Sequence, residues 1–204
     1  MTGSEQPGTV LGAAVRRKED RRLLTGQGRF VGDLQLPRMR HVAFLRSSSP
    51  HARIRSVDAG AARALRGVDA VFTGEDFQGI ALRALSALPS YVETDQPALA
   101  VDKVRFAGEA IAVVVARNAY AAEDALELIA VDLEPLPAQV CAWDVPVEPV
   151  HADAPDNVLL ERRFEAGDVT AALAASAVVV RRTLSSNRQA GNPLECRVGV
   201  ALWE

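Results

Sequence analysis

Residues 104–137 read VRFAGEAIAVVVARNAYAAEDALELIAVDLEPLP, and the reading of this stretch decides the fold. Residues 111–116 form a continuous valine-rich apolar run, as a strand buried on both faces requires. Asn118 is placed to cap a helix. Residues 119–128 are alanine-rich, with Glu123 and Asp124 near the start, where the helix dipole favours acids. Ile129, Val131 and Leu133 then alternate with Ala130, Asp132 and Glu134, the period of a half-buried strand, and Pro135 with Pro137 stops the ladder. This strand–helix–strand unit is the densest apolar material in the chain and is expected to form the core.

The composition sets bounds on everything around it. At 204 residues the chain can hold one good domain, or one domain and part of another. It is 49% hydrophobic and 24% charged, ordinary for a globular protein, and its net charge of −3 points to neither nucleic acid nor an anionic membrane. No apolar run reaches the length of a membrane span, and MTGSEQPGTV lacks the layout of a secretory signal, so a cytoplasmic location is expected. Cys141 and Cys196 sit in no CxxC pair, which argues against an iron–sulfur cluster or structural zinc; both are read as buried small apolar residues.

Outward from the core stretch, residues 1–14 read as a flexible arm. Residues 15–30, VRRKEDRRLLTGQGRF, interleave five arginines and one lysine with Glu19 and Asp20, a solvated, self-pairing segment rather than an anion site. Gly26 and Gly28 mark a turn, because the third glycine of a nucleotide fingerprint is missing. The alternation in His41–Arg46 predicts a strand, and Ile54 and Val57 a second. Asp58 is placed to cap a short helix over residues 60–66, closed by Gly67. Residues 68–72 read as a strand, followed by a turn at Gly74–Phe77 that Thr73 and Asp76 cap. Residues 78–96 read as an extended loop with one short turn. Residues 141–155, with Pro146, Pro149 and Pro155, suit an irregular surface strap. Asp168 caps a helix over Val169–Ala175, and residues 177–184 and 197–203 are expected to be strands.

Several of these blocks resemble one family. VRFAGEAIAVVVA with AYAAEDALELIAVDLEPLPA is similar to the N-terminal a/b hammerhead domain of the molybdenum-binding large subunits of the aldehyde oxidase, xanthine dehydrogenase and carbon monoxide dehydrogenase family, with Ala110 where proline is common. Arg17, Glu19, Asp20, Arg22, Leu24, Thr25, Gly26, Gly28, Phe30, Asp33, Leu36 and Pro37 match the family's opening signature, R-x-ED-x-R-x-LTG-x-G-x-(Tyr/Phe) before an acid and LP. RSSSPHARI and GVDAVFTGEDF resemble two further blocks. Residues 167–204 resemble the start of its molybdopterin-binding domain, with Pro193, Leu194, Glu195, Cys196 and Arg197 where a P-M-E-x-R motif is typical.

The expected fold is therefore α/β with an α+β-like mixed sheet: a hammerhead domain over 15–140, a connecting strap over 141–163, and an incomplete second α/β domain over 164–204. No catalytic, cofactor-binding or metal-binding residue is assigned. His41, His51 and His151 share no ligand spacing, and His51 is read as a hydrogen-bonded turn residue. Ser47, Ser48 and Ser49 lack a nucleophile elbow. Glu109 is read as a carboxylate satisfying turn amides, and Lys103 as a weak match to a biotin or lipoate attachment site. The resemblance implies the N-terminal, subunit-shaping portion of a molybdenum hydroxylase large subunit, inactive alone and binding no cofactor by itself. The catalytic residues would lie beyond Glu204. It implies a molybdopterin cofactor, in the cytosine dinucleotide form, in the complete enzyme. The partners it implies are the remaining molybdenum-binding domains or subunit and iron–sulfur and FAD subunits. The alternative is a stand-alone, non-catalytic module pairing with a separate molybdenum subunit.

Overall fold

The computed structural model describes residues 14–84, 86–141, 143–187, 189–193 and 195–203. All but one residue of the arm expected over 1–14, and Leu194 and Glu204 of the tail motif region, lie outside them. In chain order the elements are α1 (Asp20–Leu24), β1 (His41–Arg46), β2 (Ala52–Asp58), α2 (Gly60–Ala64), β3 (Val68–Thr73), β4 (Ala81–Ala84), β5 (Thr94–Pro97), β6 (Lys103–Val104), β7 (Ala110–Ala116), α3 (Ala119–Leu126), β8 (Ala130–Pro135) and α4 (Val169–Ala175), with 3-10 turns at Val31–Asp33 and Gly74–Phe77. They fall into two contact units, Arg38–Val180 and the pair Met1–Pro37 with Arg181–Glu204.

Three small antiparallel sheets build the larger unit, in the orders β1–β7–β3, β6–β2–β8 and β4–β5. The apolar run of β7 takes the central place in the first, where both edges find partners: Val114 is opposite Ala43 of β1 and Val71 of β3. The two strands flanking α3 therefore join different sheets, since β8 pairs with β2, from Ala52↔Pro135 to Asp58↔Ala130. Pro135 pairs only at the ladder's end, where its missing N–H is tolerated.

One face of the β7 sheet carries the core. Ala112, Val114, Ala116 and Val71 pack with Ala59 and Ala62 around α2 and with Ala122, Ala125 and Ile129 around α3. Alanine dominates because a small side chain lets a helix backbone lie close on the sheet. Asn118 starts α3 as its spacing predicts, its Oδ1 accepting the Ala121 amide at 2.8 Å. Replacing Asn118 by Ala is expected to cost about 1 kcal/mol. A lower denaturant midpoint at unchanged m-value would show it; an unchanged midpoint would mean the cap adds nothing. Asp168 caps α4 in the same way, accepting from Ala171 at 2.9 Å, and the Thr73 amide donates to Asp76 at 2.7 Å.

Three expectations are corrected. Residues 78–96, read as a loop, contribute β4 and most of β5, paired from Ala81↔Pro97 to Ala84↔Thr94 and bridged by Arg83–Asp95 at 3.2 Å. A four-residue strand is too short to show a period. Residues 177–184 and 197–203 are not strands: their alternating side chains are exposed and, among the described residues, no ladder partner faces them. An apolar alternation becomes a strand only against a neighbour. Cys141 and Cys196 are free and exposed rather than buried, because one lies on the strap and the other in the exposed tail.

In the smaller unit, α1 is capped at its end by a turn through Gly26 (φ +70°), and the Val31 amide donates to Glu195 Oε1 at 3.0 Å. That bond ties the opening signature to the tail motif through residues 164 apart in sequence.

Candidate functional site

A recess in the larger unit lies where the 105–109 turn meets the end of β1. Gly108 (φ +92°) reverses the chain in the left-handed region that favours glycine. Its amide donates to Ser47 O at 2.7 Å, the Ser47 amide donates to Glu109 O at 2.9 Å, and the Arg46 guanidinium donates to Gly108 O at 2.8 Å. These bonds zip the two segments and turn the Glu109 side chain inward.

Glu109 is buried, at 7% exposure. Its carboxylate accepts the Arg105 amide and lies 3.5 Å from the Arg105 guanidinium. The same guanidinium reaches Asp102 Oδ1 and Lys103 O, each at 3.0 Å, while Nε is buried with no protein partner. Arg105 is thus clamped between two carboxylates. Beside it opens a cavity of about 450 Å³, walled by Arg46, Arg105, Glu109 and His151 and by apolar Phe44, Pro97, Phe106 and Val150.

Burial by itself would raise the Asp102 pKa, but the Arg105 charge and several hydrogen bonds together hold it below the usual carboxylate value. The His151 pKa is lowered by burial first and then by repulsion from Arg105 and Lys103, which Asp153 opposes in part. A histidine with a depressed folded-state pKa binds its proton more readily when unfolded. Its stabilising contribution is therefore complete above the unfolded value of 6.5 and is lost as pH falls from there through the folded value. Asp102 acts in a separate, lower window, below 3.8. His151→Gln is expected to flatten the decline in melting temperature between neutral pH and mild acid. An unchanged pH profile in this variant would rule His151 out as the titrating group.

Several of the polar side chains singled out from the sequence are engaged in local hydrogen bonds. His51 Nδ1 meets Pro137 O at 2.9 Å, and His41 sits at the start of β1. His151 alone of the three histidines lines the recess. Ser47 Oγ is used inside its own turn, donating to Ser49 O at 2.9 Å and accepting the Ser49 amide at 3.0 Å. Lys103 lies in β6 with its ammonium on Pro149 O at 2.6 Å, a tethered position unlike an exposed attachment lysine. Glu109 satisfies a turn amide, as its place after Gly108 suggests. Among the described residues no group of His, Cys, Asp and Glu could hold a metal. Sequence reading missed Arg105, Arg46 and Phe44 as walls of a common recess; their only signal was a shared apolar and basic neighbourhood in separate motif blocks.

Residues 25–137 match the profile of the aldehyde oxidase and xanthine dehydrogenase a/b hammerhead domain, and residues 150–204 that of the molybdopterin cofactor-binding domain. The chain belongs to the aldehyde oxidase and xanthine dehydrogenase family. It is 35% identical over 199 residues to the 6-hydroxypseudooxynicotine dehydrogenase complex subunit gamma of Paenarthrobacter nicotinovorans, covering 93% of this chain and 25% of that protein. It is 42% identical over 161 residues to the carbon monoxide dehydrogenase large chain of Afipia carboxidovorans, covering 78% and 19%. Among solved structures it resembles quinoline 2-oxidoreductase from Pseudomonas putida 86 (TM-score 0.56, 48% identity, 62% of this chain and 16% of that one). It also resembles the aldehyde oxidoreductase of Desulfovibrio gigas (TM-score 0.66, 28% identity, 79% and 19%). The chain spans about a quarter or less of these family members.

Family membership implies a molybdopterin cofactor, so residues 150–204 can be tested as its seat. Helix α4 buries no residue and the described part of 181–203 is exposed throughout, which leaves no enclosed cradle of donors. The described residues there do not by themselves fit the pterin. Among the described residues no helix is long and apolar enough to cross a membrane.

Proposed function

We propose that this chain is the N-terminal portion of a molybdenum hydroxylase large subunit and acts as its shaping module, without catalytic residues of its own. The observation that carries this is the tandem of matches, a hammerhead domain over 25–137 followed directly by molybdopterin-domain sequence over 150–204. The clamp of Arg105 between Glu109 and Asp102 supports a structural part. We place the hammerhead domain at 15–140, the strap at 141–163 and the start of the molybdopterin-binding domain at 164–204. The complete cytoplasmic enzyme would carry a molybdopterin cytosine dinucleotide held by residues outside this chain. It would pass electrons to iron–sulfur and FAD subunits. Carbon monoxide, quinoline and a nicotine derivative appear in the relatives' names, so no one substrate is favoured.

A second reading, a stand-alone module pairing with a separate molybdenum subunit, draws support from the hammerhead core, which closes around its own alanine and valine residues. Affinity capture of the tagged chain from its own host at native expression separates the two. Intact masses and molybdenum in the eluate are the readouts. Molybdenum recovered with molybdopterin-domain sequence continuous with the chain supports the first reading. Molybdenum with a separate polypeptide supports the second. The chain alone and metal-free would overturn both.

A further inference from the structure

The recess beside the 105–109 turn holds one positive charge that the fold leaves over. Of its two arginines, Arg105 is neutralised by Glu109 at 3.5 Å and Asp102 at 3.0 Å. Arg46 differs, since among the described residues no carboxylate pairs with it. Its guanidinium is nevertheless held in place. Nη1 donates to Gly108 O at 2.8 Å, and the group lies over the Phe44 ring, 5.5 Å from the centroid. Among the described residues that is the one hydrogen bond Arg46 makes from its side chain, so Nε and Nη2 keep their donors. A planar fork fixed in this way matches a carboxylate, and little side-chain entropy remains to be lost on binding. The other walls are apolar: Phe44, Pro97, Phe106 and Val150. A cavity of about 450 Å³ with such walls and a few fixed polar groups has the make-up of a small-molecule site.

We propose that this recess binds a small aromatic monocarboxylate, its carboxylate on the Arg46 guanidinium and its ring among the apolar walls. The charges select that class. Two guanidiniums in the wall oppose a cationic ligand. A phosphate dianion would face the Glu109 carboxylate with only Arg46 left to offset it, because Arg105 is already matched by two acids. One surplus positive charge suits one negative charge. His151 adds no second cation near neutral pH, as burial, Arg105 and Lys103 all favour its uncharged form. The apolar walls in turn favour a ring over a bare carboxylate, since burying a ring there removes apolar surface from water on both sides. Every one of these residues belongs to the larger unit, so the site holds under either reading of the chain's function.

The imidazole NMR signals of the 204-residue chain report on the site, because His151 lines the recess and His41 and His51 do not. Benzoate titrated in near neutral pH is expected to move the His151 signal saturably, with a Kd of about 1 mM or tighter, and to leave the other two in place. Benzamide keeps the ring without the charge, acetate keeps the charge without the ring, and inorganic phosphate carries the wrong charge. Each should bind roughly tenfold more weakly or worse. Arg46→Gln should weaken benzoate by roughly tenfold or more while the His41 and His51 signals stay where they were. Should that variant fail to fold, Phe106→Ala removes a ring that is 57% exposed, and it should weaken benzoate while leaving acetate unchanged. An unmoved His151 signal would overturn the site. So would benzamide or acetate binding as tightly as benzoate, or full benzoate affinity in Arg46→Gln or Phe106→Ala.

Discussion

Gly74→Ala is expected to destabilise the chain by about 3 kcal/mol, at the upper end of what overpacking costs. Gly74 is buried where β3 runs into its 3-10 turn. A Cβ there would lie 2.2 Å from the Ala100 carbonyl oxygen, 2.8 Å from its carbon and 2.9 Å from Val101 Cα. All three are backbone atoms, so no rotamer change relieves the clash. Ala100 cannot easily retreat either, being 2% exposed with its amide bonded to Ala110 O at 2.8 Å. Gly74 has no positive φ, so the requirement is for space and not for backbone freedom. Gly32, with nothing within 4 Å of an added Cβ and no positive φ, serves as the control and should change by less than about 0.5 kcal/mol. Urea unfolding of both variants measures the difference. A loss below about 1 kcal/mol for Gly74→Ala would mean that the 100–101 segment yields freely.

The second large effect is expected at Glu109. Its removal leaves the Arg105 amide without its acceptor. It also leaves a guanidinium whose side chain is only 14% exposed, held by Asp102 at its open end. Breaking a buried pair from one side typically costs 3–5 kcal/mol when the remaining charge is uncompensated, and the surviving Asp102 contact keeps the expected loss at the low end of that range. Glu109→Ala should therefore lose about 3 kcal/mol. Glu109→Gln keeps an oxygen for the Arg105 amide and is expected to lose less than half as much. Pairing Glu109→Ala with Arg105→Met should recover part of the loss, since no charge is then stranded. Strict additivity in that cycle would show that the two side chains do not depend on each other.

Local chemistry made much of this structure readable from the sequence. His41–Arg46, Val169–Ala175 and the Gly74–Phe77 turn have the bounds that their periodicity and caps predict. Caps depend on residues three positions apart, so sequence alone can set them. The family is legible for a related reason: its motif blocks cluster at turns, where backbone geometry restricts the residues allowed. What failed depends on distant neighbours. Residues 81–84 and 94–97 became strands because they found each other, whereas 177–184 and 197–203, with better alternation, did not. The exposed cysteines went wrong likewise, since burial is decided by what covers a residue.

The sequence by itself determined the central apolar strand, the capped helix after it, the alternating strand beyond, and the family they belong to. Tertiary structure alone decided that β7 and β8 part into different sheets. It alone folded Glu109 back onto Arg105, and it left Val42, Phe44 and Phe72 of the β7 sheet partly exposed. Hydrogen-bond ladders join residues tens of positions apart, and their register follows from which edges and faces remain free once the chain collapses.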